Sequence, residues 1–127
     1  MNYPVDLKYS REHEWIRAEG NKGMVGITDF AQKALGDVVF VDIDSEGETL
    51  AAGEKFGTVE AVKTVSDLFM PIDGKVISVN TILEVAPETV NKDPYGEGWM
   101  ICIQIDNTAQ LDGLMPSAEY EAFTAEL

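Results

Sequence analysis

The chain has 127 residues, 45% of them hydrophobic and 25% charged, a size and balance that suit one soluble domain, expected over residues 1–127, with a real core. Its 23 Asp and Glu outnumber 9 Lys and Arg, giving a formal net charge of -14. A field of that sign repels phosphate backbones and anionic lipid, so nucleic acid and membrane surfaces are excluded as partners.

The N-terminal Met1-Asn2-Tyr3-Pro4-Val5-Asp6 lacks the basic and apolar regions of a signal peptide, and nowhere is there a run of about 18 apolar residues. A single cysteine, Cys102, precludes an intrachain disulfide and suits a reducing compartment. A cytoplasmic location is expected. Leu7-Lys8-Tyr9 reads as a short extended piece. Trp15–Ala18 and Met24–Ile27 read as strands joined by the polar turn Glu19-Gly20-Asn21-Lys22-Gly23. Thr28 then caps a two-turn helix whose apolar positions are Phe30, Ala31, Ala34 and Leu35, and Gly36 ends it. So short a helix must be packed to persist.

Val38–Ile43 is the most β-prone run, ended by Ser45-Glu46-Gly47-Glu48, and Ala52-Gly53-Glu54 marks another turn. Two strand-like runs within Phe56–Gly74 flank Lys63, the one cation between Lys55 and Lys75. A lysine there serves either as an ordinary solvated or edge-protecting charge or as a side chain offered at a hairpin tip. Val62 and Val65 bracket a two-residue turn expected at Lys63-Thr64, although it lacks the glycine or asparagine such turns prefer. Gly57 permits a bulge or a close backbone approach, and Asp73-Gly74 reads as a further hairpin turn. Lys75–Val79 is the next strand. Residues 80–99 read as loop, broken by Pro87, Pro94, Gly96 and Gly98. Met100–Ile105 is the last strand, with Cys102 expected to be buried, and Ser117 caps a C-terminal helix that turns Tyr120 and Phe123 to the core. Seven or so short strands with two or three short helices imply a mainly β fold, an antiparallel barrel or sandwich with peripheral helices.

Catalytic groups are scarce. The one histidine, His13, and Cys102 are poor candidates for a nucleophilic pair, because an apolar setting disfavours thiolate. Neither CxxC nor HExxH occurs, and Glu12-His13-Glu14 reads as a turn or strand start before it reads as a ligand cluster. We therefore expect no catalytic residues and no metal ligands.

Glu60-Ala61-Val62-Lys63-Thr64-Val65-Ser66-Asp67 resembles the lipoyl-attachment site of the H proteins of the glycine cleavage system. His13-Glu14-Trp15, Gly26-Ile27-Thr28, Ala31, Leu35-Gly36-Asp37, Pro71, Gly74, Val76, Asn80, Leu83, Pro87, Asn91 and Pro94–Met100 follow in the family's order, over about residues 7–123. Ala61 stands where serine is usual, Thr64 where alanine is usual, and Asp42-Ile43-Asp44 replaces Glu-Leu-Pro.

The resemblance implies a lipoyl/biotinyl-type barrel-sandwich hybrid of short antiparallel strands with peripheral helices, including a C-terminal one. It implies a monomeric carrier, not an enzyme, with lipoic acid in amide linkage on Lys63. Such a carrier takes the aminomethyl group of glycine from the glycine decarboxylase (P protein) to the tetrahydrofolate-dependent aminomethyltransferase (T protein). Dihydrolipoyl dehydrogenase (L protein) reoxidises its arm, and a lipoate ligase or lipoyl/octanoyl transferase installs it. Glu14, Asp67 and Glu12 are expected to line a cleft that shelters the carried amine. Two alternatives stand beside this: an H-like lipoyl donor or relay for other complexes, and an unmodified scaffolding barrel.

Overall fold

Alternation of apolar and polar residues builds two antiparallel sheets. The computed structural model describes residues 1–127. Nine strands follow in chain order: β1 (Lys8–Tyr9), β2 (Glu14–Glu19), β3 (Lys22–Ile27), β4 (Val38–Asp42), β5 (Thr49–Leu50), β6 (Lys55–Ala61), β7 (Val65–Phe69), β8 (Gly74–Val79) and β9 (Ile101–Ile105). Helices α1 (Asp29–Leu35), α2 (Ile82–Val85), α3 (Thr89–Lys92) and α4 (Ser117–Ala125) lie between and after them, with a 3₁₀ helix at Thr108–Gly113. The larger sheet has six strands in the order β1-β2-β3-β9-β8-β5, and the smaller has three in the order β4-β6-β7.

The main core lies between the sheets. Ile101, Ile103 and Ile105 alternate inward from β9 and meet Val59 of β6 and Leu68 of β7 in one cluster of 18 buried residues. A second, aromatic cluster joins Leu7, Tyr9, Trp15, Tyr95, Met115 and Tyr120, and it fastens the N-terminal segment to α4. Tyr9 and Tyr120 stack there with ring centroids 4.7 Å apart. The Trp15 indole N–H donates to the Pro94 carbonyl at 3.0 Å, and its ring fills the space a side chain at Gly26 would need.

Several local expectations are corrected. Asp73-Gly74 is no hairpin turn: β7 belongs to the small sheet and β8 to the large one, so the dipeptide turns a corner between sheets. Residues 80–99 are not all loop, because α2 and α3 each form one helical turn, too short to show periodicity. Cys102 is half-buried, not buried, since period two puts it opposite the three buried isoleucines and on the outer face. Ser117 is the first residue of α4 and not its cap; Pro116 precedes the helix, and the Ser117 hydroxyl donates to the Tyr3 carbonyl at 2.7 Å.

Gly57 confirms the close approach expected of it. The ladder between β6 and β7 is irregular from Lys55 to Gly57, and a Cβ at Gly57 would lie 2.7 Å from the Asp42 carbonyl oxygen. Backbone cannot yield as a flexible side chain can. Gly57→Ala should cost about 1–3 kcal/mol in urea unfolding, whereas Gly113→Ala, with open space at that position, should be close to neutral.

Candidate functional site

The β6–β7 hairpin carries Lys63 at its tip. Glu60 pairs with Val65, and the Ala61 N–H donates to the Thr64 carbonyl at 2.8 Å, so the turn residues are Val62 and Lys63. This is one residue earlier than the Lys63-Thr64 turn expected from sequence. The cause is local. The Val62 N–H is taken by the Asp37 carbonyl at 3.1 Å, which bends the chain before Lys63 and leaves Thr64 opposite Ala61. His13 is the one non-glycine residue with positive φ, so the tip uses neither primed turn type.

The tip is braced from beneath. α1 starts with the Thr28 hydroxyl accepting from the Ala31 N–H at 3.1 Å and stops at Gly36, whose φ of 82° favours glycine. A Cβ at Gly36 would sit 3.4 Å from Lys63 Cε and 3.8 Å from its Nζ, so the lysine stem lies across that glycine. Asn91 holds the same junction, its amide donating to the Gly36 carbonyl at 2.8 Å while its oxygen accepts from the Val38 N–H at 2.9 Å. Lys63 itself is exposed, and its ammonium forms neither of the molecule's two salt bridges.

A narrow cleft of about 160 Å³ opens between α1, the segment before β2, and β7. Ile27, Phe30, Ala31, Leu35, Val59 and Leu68 give it apolar walls. The three acids singled out in the sequence, Glu12, Glu14 and Asp67, all line it, together with His13 and Ser66. Their settings differ. Glu12 is exposed at the rim. Asp67 is half-exposed and pairs with Lys55 at 3.4 Å, a contact that solvent largely screens.

Glu14 is only 2% exposed. Its carboxyl accepts the Ser10 hydroxyl at 2.6 Å and the Phe69 N–H at 3.3 Å. Burial outweighs both bonds, and with the nearby Glu12 charge it pushes the Glu14 carboxyl up to about 8. Burial also holds the His13 imidazole below its usual range, opposed by Glu12. The part Ser10 plays in holding Glu14, and α1 as a wall of the cleft, are not legible in the sequence; only the helical spacing of Phe30, Ala31 and Leu35 hints that α1 presents one apolar face.

The glycine cleavage H-protein model matches residues 7–127. The chain belongs to the glycine cleavage H-protein family. It is 60% identical to a glycine cleavage system H protein of Symbiobacterium thermophilum, covering 98% of each chain. A Bacteroides fragilis protein of the same name is also 60% identical, over 96% of this chain and 97% of its own. The crystal structure of a glycine cleavage system H protein from Mycobacterium marinum superposes with a TM-score of 0.87 at 41% identity, over 97% of this chain and 99% of that one. The mainly β, antiparallel fold with a C-terminal helix expected of an H-protein is thus the fold observed.

The raised Glu14 carboxyl makes stability of this H-protein pH-dependent. Between its ordinary value of 4.5 and about 8 the folded chain keeps a proton that the unfolded chain loses. That contribution is fully present below 4.5 and is lost as pH rises through about 8. Glu14→Gln removes it, so urea midpoints of the wild type should fall relative to that variant from about pH 5 to about pH 8.5.

Proposed function

We propose that this chain is a non-enzymatic carrier of the glycine cleavage system, a single cytoplasmic domain that bears lipoic acid in amide linkage on Lys63. The carrying observation is an exposed lysine at the tip of a braced hairpin, beside a narrow cleft with apolar walls and acids. The residues present fit the group. The lysine amine is free to be acylated, its stem is seated on Gly36, and the cleft is lined as an aliphatic arm with a cationic end requires.

Once attached, the lipoyl group supplies the dithiolane that accepts, carries and yields the aminomethyl group of glycine. The chain's own residues do the rest. The hairpin presents the attachment point to a docked enzyme at a high effective concentration. Ile27, Phe30, Leu35 and Leu68 exclude water from the cleft. Glu14, Asp67 and Glu12 offer carboxylates to the carried ammonium, Glu14 from the most water-excluded position.

Partners are the glycine decarboxylase, the aminomethyltransferase, dihydrolipoyl dehydrogenase and a lipoate ligase or lipoyl/octanoyl transferase. The surface around Lys63 suits their docking: Phe40, Val62 and Val65 are 53%, 72% and 60% exposed, and Glu60 lies between Phe40 and Val65 across the sheet. With a net charge of -14 behind it, this face fits partners with cationic rims, and their association should weaken as salt rises.

Intact mass after co-expression with a lipoylating enzyme should rise by one lipoyl group, and Lys63→Arg should abolish the rise. The lipoylated chain should then support glycine–carbon dioxide exchange by the decarboxylase. No mass increase would favour a scaffold; lipoylation without exchange would favour a relay to other complexes.

A further inference from the structure

The carrier function leaves unexplained why the segment feeding the cleft is strained and why α4 reaches it. His13 has φ 70°, a left-handed backbone that a side chain with a Cβ rarely adopts. It sits one residue before Glu14. The strained turn is closed on both sides: the His13 N–H donates to the Ser10 carbonyl at 3.1 Å, and the Thr28 N–H donates to the His13 carbonyl at 3.0 Å.

The imidazole is held as well. Its Nδ1 lies 2.8 Å from the Tyr120 hydroxyl, and that hydroxyl lies 2.8 Å from Thr28 Oγ1. Thr28 Oγ1 in turn accepts the Ala31 N–H that caps α1. Tyr120 is fully buried, so its one hydroxyl bridges the strained residue and the cap of the helix that forms the cleft wall. The Phe30 ring lies 4.7 Å from the imidazole and Phe123 of α4 lies 6.0 Å from it. α4 therefore reaches the arm cleft through the Tyr120 hydroxyl, its one hydrogen bond to the imidazole, with the Phe123 ring beside it.

We propose that Tyr120 is a positioning residue for the cleft: its hydroxyl holds the His13 imidazole, keeps His13 left-handed, and thereby directs the Glu14 carboxyl to Ser10 and Phe69. This rests on the reading that Glu14 faces the carried amine, but the geometric claim stands without the lipoyl group. A left-handed residue reverses the direction in which the next side chain departs. If His13 relaxes to an ordinary backbone, the Glu14 carboxyl leaves its two donors and reaches solvent. The groups that share its surroundings are Glu12, His13, Asp67 and Tyr120.

The test is the titration of the Glu14 side-chain carboxyl, followed by carbon-13 NMR in the unmodified protein, so it does not depend on lipoylation. Tyr120→Phe removes one oxygen and keeps the ring stack; it should lower the Glu14 midpoint by about one unit or more. His13→Gly, which takes positive φ freely, should keep the midpoint near that of the wild type, and adding Tyr120→Phe to it should move the midpoint little. His13→Ala, which loses the ring and keeps the strain, should shift it as Tyr120→Phe does. If Tyr120→Phe unfolds the chain, the comparison of His13→Ala with His13→Gly decides alone. An unchanged midpoint in Tyr120→Phe, or an equal shift with His13 and with glycine at that position, overturns the proposal. In the lipoylated chain, Tyr120→Phe should speed loss of the carried aminomethyl group as far as the Glu14 midpoint has moved. A moved midpoint with unchanged loss would refute the role of Glu14 and leave the role of Tyr120 standing.

Discussion

The hydrogen bonds of one buried carboxyl join the two halves of this molecule. Glu14 opens β2 of the large sheet, and its carboxyl accepts a hydrogen bond from the Phe69 N–H at the end of β7 in the small sheet. The same carboxyl takes the Ser10 hydroxyl, and the Ser10 hydroxyl oxygen accepts the Glu14 N–H at 3.1 Å. A buried acid is costly unless it is well bonded or uncharged, and here it is both bonded and biased toward the neutral form. A cation brought beside it would reverse that bias and gain most from the exchange. On the proposed function, the group that ties the sheets together is thus also the one that receives the carried amine.

The lysine is prepared in a different way. As the proposed attachment point Lys63 needs freedom at its amine and rigidity at its root, and the two demands are met by different residues. Gly36 gives the stem a seat without a Cβ in the way, and Asn91 locks Gly36 and Val38 to α3. The Asp37 carbonyl holds the turn through Val62. The tip is consequently fixed by its own backbone and by Gly36 and Asn91, contacts that tolerate variation in the exposed side chains at the tip, such as Val62 and Thr64.

Much of this was legible in the sequence where a residue's chemistry forces its place. Thr28 and Gly36 bound a helix because hydroxyl capping and positive φ leave few alternatives, and Gly57 marked a backbone contact because no other residue fits. Glu14 and Asp67 were found together because the family motif carries both, although they lie far apart in sequence. What could not be read depends on long-range pairing. Asp73-Gly74 has hairpin chemistry, but only the sheet assignment of β7 and β8 shows that it turns a corner. The register of the Lys63 turn depends on the Asp37 carbonyl, and the part played by His13 depends on a tyrosine 107 residues away.

The central claim is that the cleft beside the hairpin shelters what the arm carries, and the rate of its spontaneous loss measures this directly. With the loaded wild-type chain alone in buffer at pH 7.5, loss of the aminomethyl group should be slow. The combined Glu14→Ala and Asp67→Ala changes should speed it at least about tenfold, as expected when a charge-assisted hydrogen bond worth about 1.5–3 kcal/mol is removed from a water-excluded site. Equal rates in the two proteins, with both fully lipoylated and folded, would contradict the account.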